Sequence, residues 1–260
     1  MSLSPLSQLL REAVIRQLDY RVAVAFSGGL DSTTLAAIAK EQVETHLICI
    51  GMAGSHDLEA ARESAEALGL PLQVVELTEE RIMRTYNDCY ALMPGSLTEV
   101  ELMAGAWEVC QAAKEAGFLT VVFGSGAEEV FIGYNRHYEA HEKGTDLHQL
   151  LKNELESLPS RDLRRTGAVA AHFGLSARCP FLDEKLVEAV FEIPVEKKMG
   201  TLEMKKPLLR QLAAELGVPE CARQRPKKAM QYGSGIHGAC RRLLKEGKIQ
   251  ALEPTVLPII

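Results

Sequence analysis

One stretch constrains the fold more than any other. It runs Val22-Ala23-Val24-Ala25-Phe26, then Ser27-Gly28-Gly29-Leu30-Asp31-Ser32, then Thr33-Thr34-Leu35-Ala36-Ala37-Ile38-Ala39-Lys40. An apolar run of strand length, a glycine pair and an alanine-rich run predict strand, tight turn and helix in that order. Two glycines let the backbone turn sharply and approach a bound group closely. The free N–H groups and positive dipole end of the following helix then form an anion site. Hydroxyls of Ser27, Ser32 and Thr33 add donors for phosphate oxygens. Asp31 puts a carboxylate where a phosphate-bound magnesium needs one. The Gly-Lys-Ser/Thr ending of a Walker A loop is missing. The plainer alternative is a helix-capping turn whose glycines are incidental.

Further along, the spacing of apolar residues predicts a leading amphipathic helix over 4–18, carrying Leu6, Leu9, Leu10, Val14 and Leu18. Strands are expected at 45–50, 72–77 and 119–123, with helices at 57–68 and near 97–116. Asp57 reads as the cap of the helix at 57–68, and Gly69 as the residue just past its end. Strands alternating with helices indicate a parallel sheet covered on both faces. Ligands in such sheets lie beyond the carboxyl ends of the strands. Both the turn at 27–29 and the run Gly124-Ser125-Gly126 fall at such ends. From about 147 the apolar spacings suit helices alone, and no clear strand is expected. The chain thus divides into an α/β core over 1–146 and a helical part over 147–260 that completes the site. The apolar tail 254–260 reads equally as docked on the body or as a dimer contact.

The bulk numbers exclude several classes. At 260 residues, 47% hydrophobic and 25% charged, the chain has the composition of a globular protein with a substantial core. A net charge of −6 argues against general nucleic-acid binding. Six widely spaced cysteines with no CxxC pair suggest reduced thiols. With no signal-like segment and no long apolar run, the expectation is a soluble cytoplasmic protein without membrane contact. Charge is nevertheless uneven: residues 197–228 hold nine Lys/Arg against three Glu. Such a cluster in an acidic chain is a candidate well for polyphosphate. Within it, Lys197 and Lys198 read as a solvated helix face, and Arg225-Pro226-Lys227 as ligand-facing. His137, His141 and His148 read as exposed histidines in preference to a metal site, Cys179 as a small buried side chain, and Trp107 as core.

Four segments carry a family resemblance, in order: SGGLDS at 27–32, GSGAEEVFIGY at 124–134, GLSARCPFLD at 174–183, and KPLLR at 206–210 with RPKKAMQYG at 225–233. The first resembles the PP-loop of ATP pyrophosphatases. Together they resemble the synthetase domain of asparagine synthetases and the related β-lactam synthetases. The resemblance implies a Rossmann-like (adenine nucleotide alpha hydrolase-like) α/β fold and an AMP-forming ligase using ATP and Mg2+. It implies that Ser27, Gly28, Gly29, Asp31 and Ser32 hold the pyrophosphate half of ATP. Ala25, Phe26, Ile50, Gly51, Phe123 and Gly124 would lie around adenine and ribose. Asp31 and Glu128 would bind the metal, Lys227 would offset charge on the α-phosphate and departing pyrophosphate, and Lys206 would be a second phosphate contact, a role open equally to Arg210.

Three departures bear on the reaction. Ser125 stands where the family commonly has Glu or Tyr, the side chain credited with handling the nucleophile's proton. Glu128 replaces Asp, which lengthens the arm by one methylene and shifts a bound magnesium by ~1 Å. Ser176 replaces Glu. The expected substrates are a small-molecule carboxylate and ammonia or an amine. Only about twenty residues precede the first strand, so the glutamine-hydrolysing domain of the family is not expected here. Nitrogen would then come from free ammonia, another nucleophile or a separate amidotransferase. Homo-oligomerisation is left open. Two other readings are an ATP-binding regulator with altered catalysis, motivated by positions 125, 128 and 176, and another PP-loop enzyme such as a transfer-RNA thiolase or NAD synthetase.

Overall fold

The structure is a computed structural model and describes residues 4–226 and 228–253. Its first half follows the expected order with one helix more than expected, α4: α1 (Pro5–Ile15), β1 (Arg21–Ala25), α2 (Leu30–Ala39), β2 (Glu44–Met52), α3 (His56–Leu68), β3 (Leu72–Leu77), α4 (Glu79–Leu92), α5 (Leu97–Glu115) and β4 (Thr120–Val122). The second half adds α6 (Ala127–Phe131), α7 (Asn135–Glu142), α8 (Leu147–Ser157), α9 (Asp162–His172), β5 (Ser176–Arg178), α10 (Glu184–Phe191), α11 (Val195–Lys198), α12 (Pro207–Glu215), α13 (Glu220–Gln224), α14 (Met230–Gly233) and α15 (Ile236–Lys245).

All strand pairs are parallel, and the sheet order is β3-β2-β1-β4-β5. The chain therefore steps outward one way from β1 and then reverses, placing a topological switch point between β1 and β4. In open α/β sheets that crevice is where ligands sit. Strand β5 is a correction: no strand was expected after 147. Its three residues, Ser-Ala-Arg, are too few and too polar to carry a strand signal, and pairing with β4 creates it.

Local chemistry explains the element ends. Ser4 caps α1, with Pro5 at its first position. Gly69 ends α3 in the left-handed region at φ 64°. Ser96 and Glu99 form a reciprocal capping box on α5. The cap of α3 is Ser55, not Asp57; Asp57 lies inside the first turn and is buried.

Two apolar layers sandwich the sheet. One combines α1, α2, α10 and α12 residues, including Leu10, Leu35, Ile38, Leu186 and Leu209. The other combines α4, α5, α9 and α15, including Tyr86, Met103, Val169 and Leu243, with Trp107 among them as expected. Helix α2 is buried nearly all round, as its even apolar content requires. Burying a side chain such as Leu35 contributes ~1.5–3 kcal/mol. Among the described residues no helix is long and apolar enough to cross a membrane.

Two surface expectations fail. Lys198 is fully buried: its ammonium donates to the Val190 carbonyl at 3.0 Å and lies over the Phe191 ring, and burial pushes it down to about 8. A long stem that buries readily hides this in sequence. His137 is likewise fully buried, with Nε2 2.9 Å from Glu154 Oε2. Burial opposes the charge on Glu154, yet hydrogen bonds from His137 and Arg136 hold it at about 2.

Candidate active site

The turn after β1 is built around one position that tolerates no side chain. Gly28 has φ +67°, and a Cβ there would overlap the Ala60 carbonyl of α3. Its own carbonyl accepts from Ser64 Oγ at 3.1 Å, which pins the turn to α3. Gly29, extended at φ −83°, precedes the first turn of α2. Ser27 and Ser32 face each other with their hydroxyl oxygens 3.5 Å apart, and Gly29 N–H donates to Ser27 Oγ at 3.4 Å. These bonds are long and weak, so the hydroxyls and the helix N-terminus can turn to an anion at little cost.

Facing this turn, three charged groups converge from three elements. Asp31 lies in the first turn of α2 and Glu128 in that of α6. Lys206, just before α12, sends its ammonium between them: 2.8 Å to each Asp31 oxygen and 2.9 Å to Glu128 Oε1. Lys206 is 2% exposed and Glu128 is buried, while Asp31 is partly exposed toward the cleft. Among the described residues, two non-glycine residues have positive φ: Lys206 at 57°, within this cluster, and Ile132 at 58°, next to Gly133 beside it. A β-branched residue there is a conformational outlier, and such strain persists only where surrounding contacts impose it. Gly133 completes the arrangement, because a Cβ on it would overlap Glu128 Oε2 and Lys206 Cε.

A basic wall closes the other side. Lys205, Lys206, Arg210, Arg225 and Lys228 border the same cleft as Ser27, Gly29, Asp31, Ser32 and Asp57. Arg210 spends its guanidinium on backbone, donating to the carbonyls of Lys205, Arg223 and Arg225. Arg225 donates to the Ser27 carbonyl at 2.5 Å and to Asp57 Oδ1 at 2.8 Å. Lys227 lies outside the described residues, as does the tail 254–260.

With this geometry in view, comparison with known proteins is decisive. The family model described as asparagine synthase matches residues 5–146 and 139–253, nearly the whole chain. The chain belongs to the asparagine synthase family. A putative glutamine-hydrolysing asparagine synthetase of Methanocaldococcus jannaschii is 30% identical over 85% of this chain and 47% of its own length. Asparagine synthetase B of Escherichia coli is 28% identical over 93% of this chain and 46% of its own. A glutamine-hydrolysing asparagine synthetase of Lotus japonicus is 29% identical over 75% and 35%. The chain spans about half the length, or less, of these curated relatives.

Within this asparagine synthase fold, the remaining expected positions distribute as follows. Ala25, Phe26, Ile50, Gly51, Phe123 and Gly124 lie at the carboxyl ends of β1, β2 and β4. The side chains of Phe26, Ile50 and Phe123 are buried in the core. A Cβ on Gly124 would stand 3.4 Å from Asp31 Cβ, so the β4 turn closes directly on α2. Burial pushes the Cys179 thiol up to about 11, opposed by a smaller effect of the neighbouring Ser125 side chain. Cys179 is partly buried, packs against the second core layer, and at that value is a thiol at neutral pH. Ser176 is exposed and paired in register with Thr120, at the start of β5.

Two elements of the site had no local sequence signal. Asp57 reads as a helix cap because it opens an apolar-periodic run, and its partner Arg225 lies 168 positions away. The Ser125–Cys179 contact arises from the β4–β5 pairing, itself invisible in the sequence. Among the described residues no group of three or more His, Cys, Asp or Glu is placed to hold a metal ion.

Proposed function

We propose that this chain is an ATP-dependent, AMP-forming ligase that adenylates a carboxylate and passes the acyl group to ammonia or another amine. The observation that carries the reading is the convergence of Asp31 and Glu128 on one cation position beside the glycine turn. In this reading the α2 N-terminus and the hydroxyls of Ser27 and Ser32 grip the pyrophosphate half of ATP. The backbone at the ends of β1, β2 and β4 borders the nucleoside.

Magnesium fits the residues present. Its sites use one or two carboxylates and leave the other positions to phosphate and water, and this cluster offers two hard oxygen donors already drawn together around positive charge. Asp31 and Glu128 would hold it, and when bound it would neutralise charge on the phosphates. A carboxylate oxygen of the acceptor substrate forms a bond to the α-phosphorus while the bond to the pyrophosphate oxygen breaks. Lys206, and Lys227 by its family resemblance, offset the charge that builds on the departing pyrophosphate. The amine lone pair then attacks the acyl carbon, AMP leaves, and the amine's proton passes to a base. Ser125 is a poor base at neutral pH. An amine nucleophile that sheds its proton to solvent or to AMP suits such a site.

Aspartate, with asparagine as product, is the first acid to try, given what the relatives are named for. The test is exchange of labelled pyrophosphate into ATP across a panel of carboxylic acids. Exchange that depends on one class of acid supports the reading, and absence of acid-stimulated exchange overturns it.

A further inference from the structure

Asp57 lies outside the part of the site that the family motifs define. Its carboxylate is 2% exposed and sits in the first turn of α3, where the helix dipole favours negative charge. Two ends of one segment close on it. At the start of RPKKAMQYG, Arg225 donates to Oδ1 at 2.8 Å. At its end, Gly233 packs so tightly that a Cβ there would overlap the carboxylate. The same Arg225 guanidinium donates to the Ser27 carbonyl at 2.5 Å, on the first residue of the glycine turn. It also reaches His56 Nδ1 at 2.5 Å, and because arginine only donates, that nitrogen is the acceptor. Arg210 closes the back of the segment by donating to the Arg225 carbonyl at 3.1 Å.

We propose that Asp57 is a positioning residue: through Arg225 at one end and Gly233 at the other, it sets the 225–233 segment in register with the phosphate-gripping turn. The pair ties three pieces of chain that share no strand or helix: residues 225–233, the turn at 27–29 and the start of α3. Asp57 itself touches no reacting atom in this scheme. Its effect on catalysis passes through the Ser27 turn and the basic wall of the cleft that Arg225 joins, and to that extent the inference rests on the proposed function. The mechanical part does not. A buried carboxylate that holds a guanidinium and a close-packed glycine fixes the segment whatever ligand the cleft takes.

The test uses Asp57→Asn, which keeps the shape and an acceptor oxygen but removes the charge, with Arg225→Lys as a second variant should the first fold poorly. Hydrogen–deuterium exchange on the full chain, without ligand, is expected to rise by ~10-fold or more across 228–233 while α5 stays at the wild-type rate. In acid-dependent pyrophosphate exchange, kcat is expected to fall ~30-fold or more with KM for ATP within about 3-fold, the split expected when a transition-state contact is misplaced. The double variant Asp57→Asn/Arg225→Lys is expected to be no worse than the single variants, because both break one unit. Unchanged exchange across 228–233, or additive losses in the double variant, would overturn the proposal. If wild-type protein shows no acid-dependent pyrophosphate exchange, the functional reading fails, and the deuterium measurement still decides the positioning role.

Discussion

Replacing Lys206 with Met tests the charge cluster at the centre of the cleft. Met keeps the length and apolar stem of Lys and takes on the same positive φ of 57°, so backbone strain is common to both proteins. What changes is the ammonium that bridges Asp31 and Glu128 at 2.8–2.9 Å. At an effective dielectric of 20, each such contact is worth about 6 kcal/mol before desolvation is subtracted. Desolvation offsets much of that. Removal of one member of a buried ionic group costs about 3–5 kcal/mol, because the remaining charges stay buried. For a chain of this size that lowers Tm by roughly 6–20 °C. A divalent cation can then take the place of the ammonium. Mn2+ present at 100 times its Kd restores about 2.7 kcal/mol. The assay is thermal unfolding of wild type and Lys206→Met with and without Mn2+, free of nucleotide. The expected result is a large loss in the variant, mostly recovered with Mn2+, and a smaller response in the nucleotide-free wild type, where the Lys206 ammonium competes with the metal for the same two carboxylates. Equal Mn2+ responses, or a variant as stable as wild type, would refute the reasoning.

Other expectations follow from single positions. Gly133→Ala forces Glu128 and Lys206 apart and should cut pyrophosphate exchange by ~100-fold or more while circular dichroism stays native, since misplacing catalytic groups by about 1 Å costs that much. Gly28→Ala adds left-handed strain to a backbone overlap with Ala60, and should lower stability by about 2–5 kcal/mol in urea unfolding. Lys198→Met should raise Tm at pH 7. The folded protein holds Lys198 near 8 against an ordinary 10.5, so the unfolded chain binds more protons between those values and wild-type stability climbs across that window. The gap between variant and wild type should therefore narrow as pH rises from 8 to 10.5.

Much of this was legible in the sequence, for identifiable reasons. The glycine turn, its flanking strand and helix, and the alternation up to β4 follow from local periodicity and turn chemistry, and the structure places them within a few residues of expectation. Asp31 and Glu128 were readable as a pair through resemblance alone, and nothing local foretells that Lys206 lies between them. β5 was invisible because three residues acquire strand geometry only from a neighbour. Lys198 and His137 were misread as surface because polarity predicts exposure until a specific partner offsets burial. Asp57 was misread for a related reason: a helix-opening acid looks like a cap, and the arginine that claims it arrives 168 positions later.

The central claim is that a substrate carboxylate attacks the α-phosphorus of ATP in the cleft between α2 and α12. Its most direct measurement is isotopic. The acid that stimulates pyrophosphate exchange is supplied with both carboxylate oxygens as 18O, together with ATP and an amine, and the released AMP is weighed by mass spectrometry. The account predicts AMP carrying one 18O, left behind when the amine displaces it from the acyl carbon. Unlabelled AMP, or ADP and phosphate as the products, would contradict it.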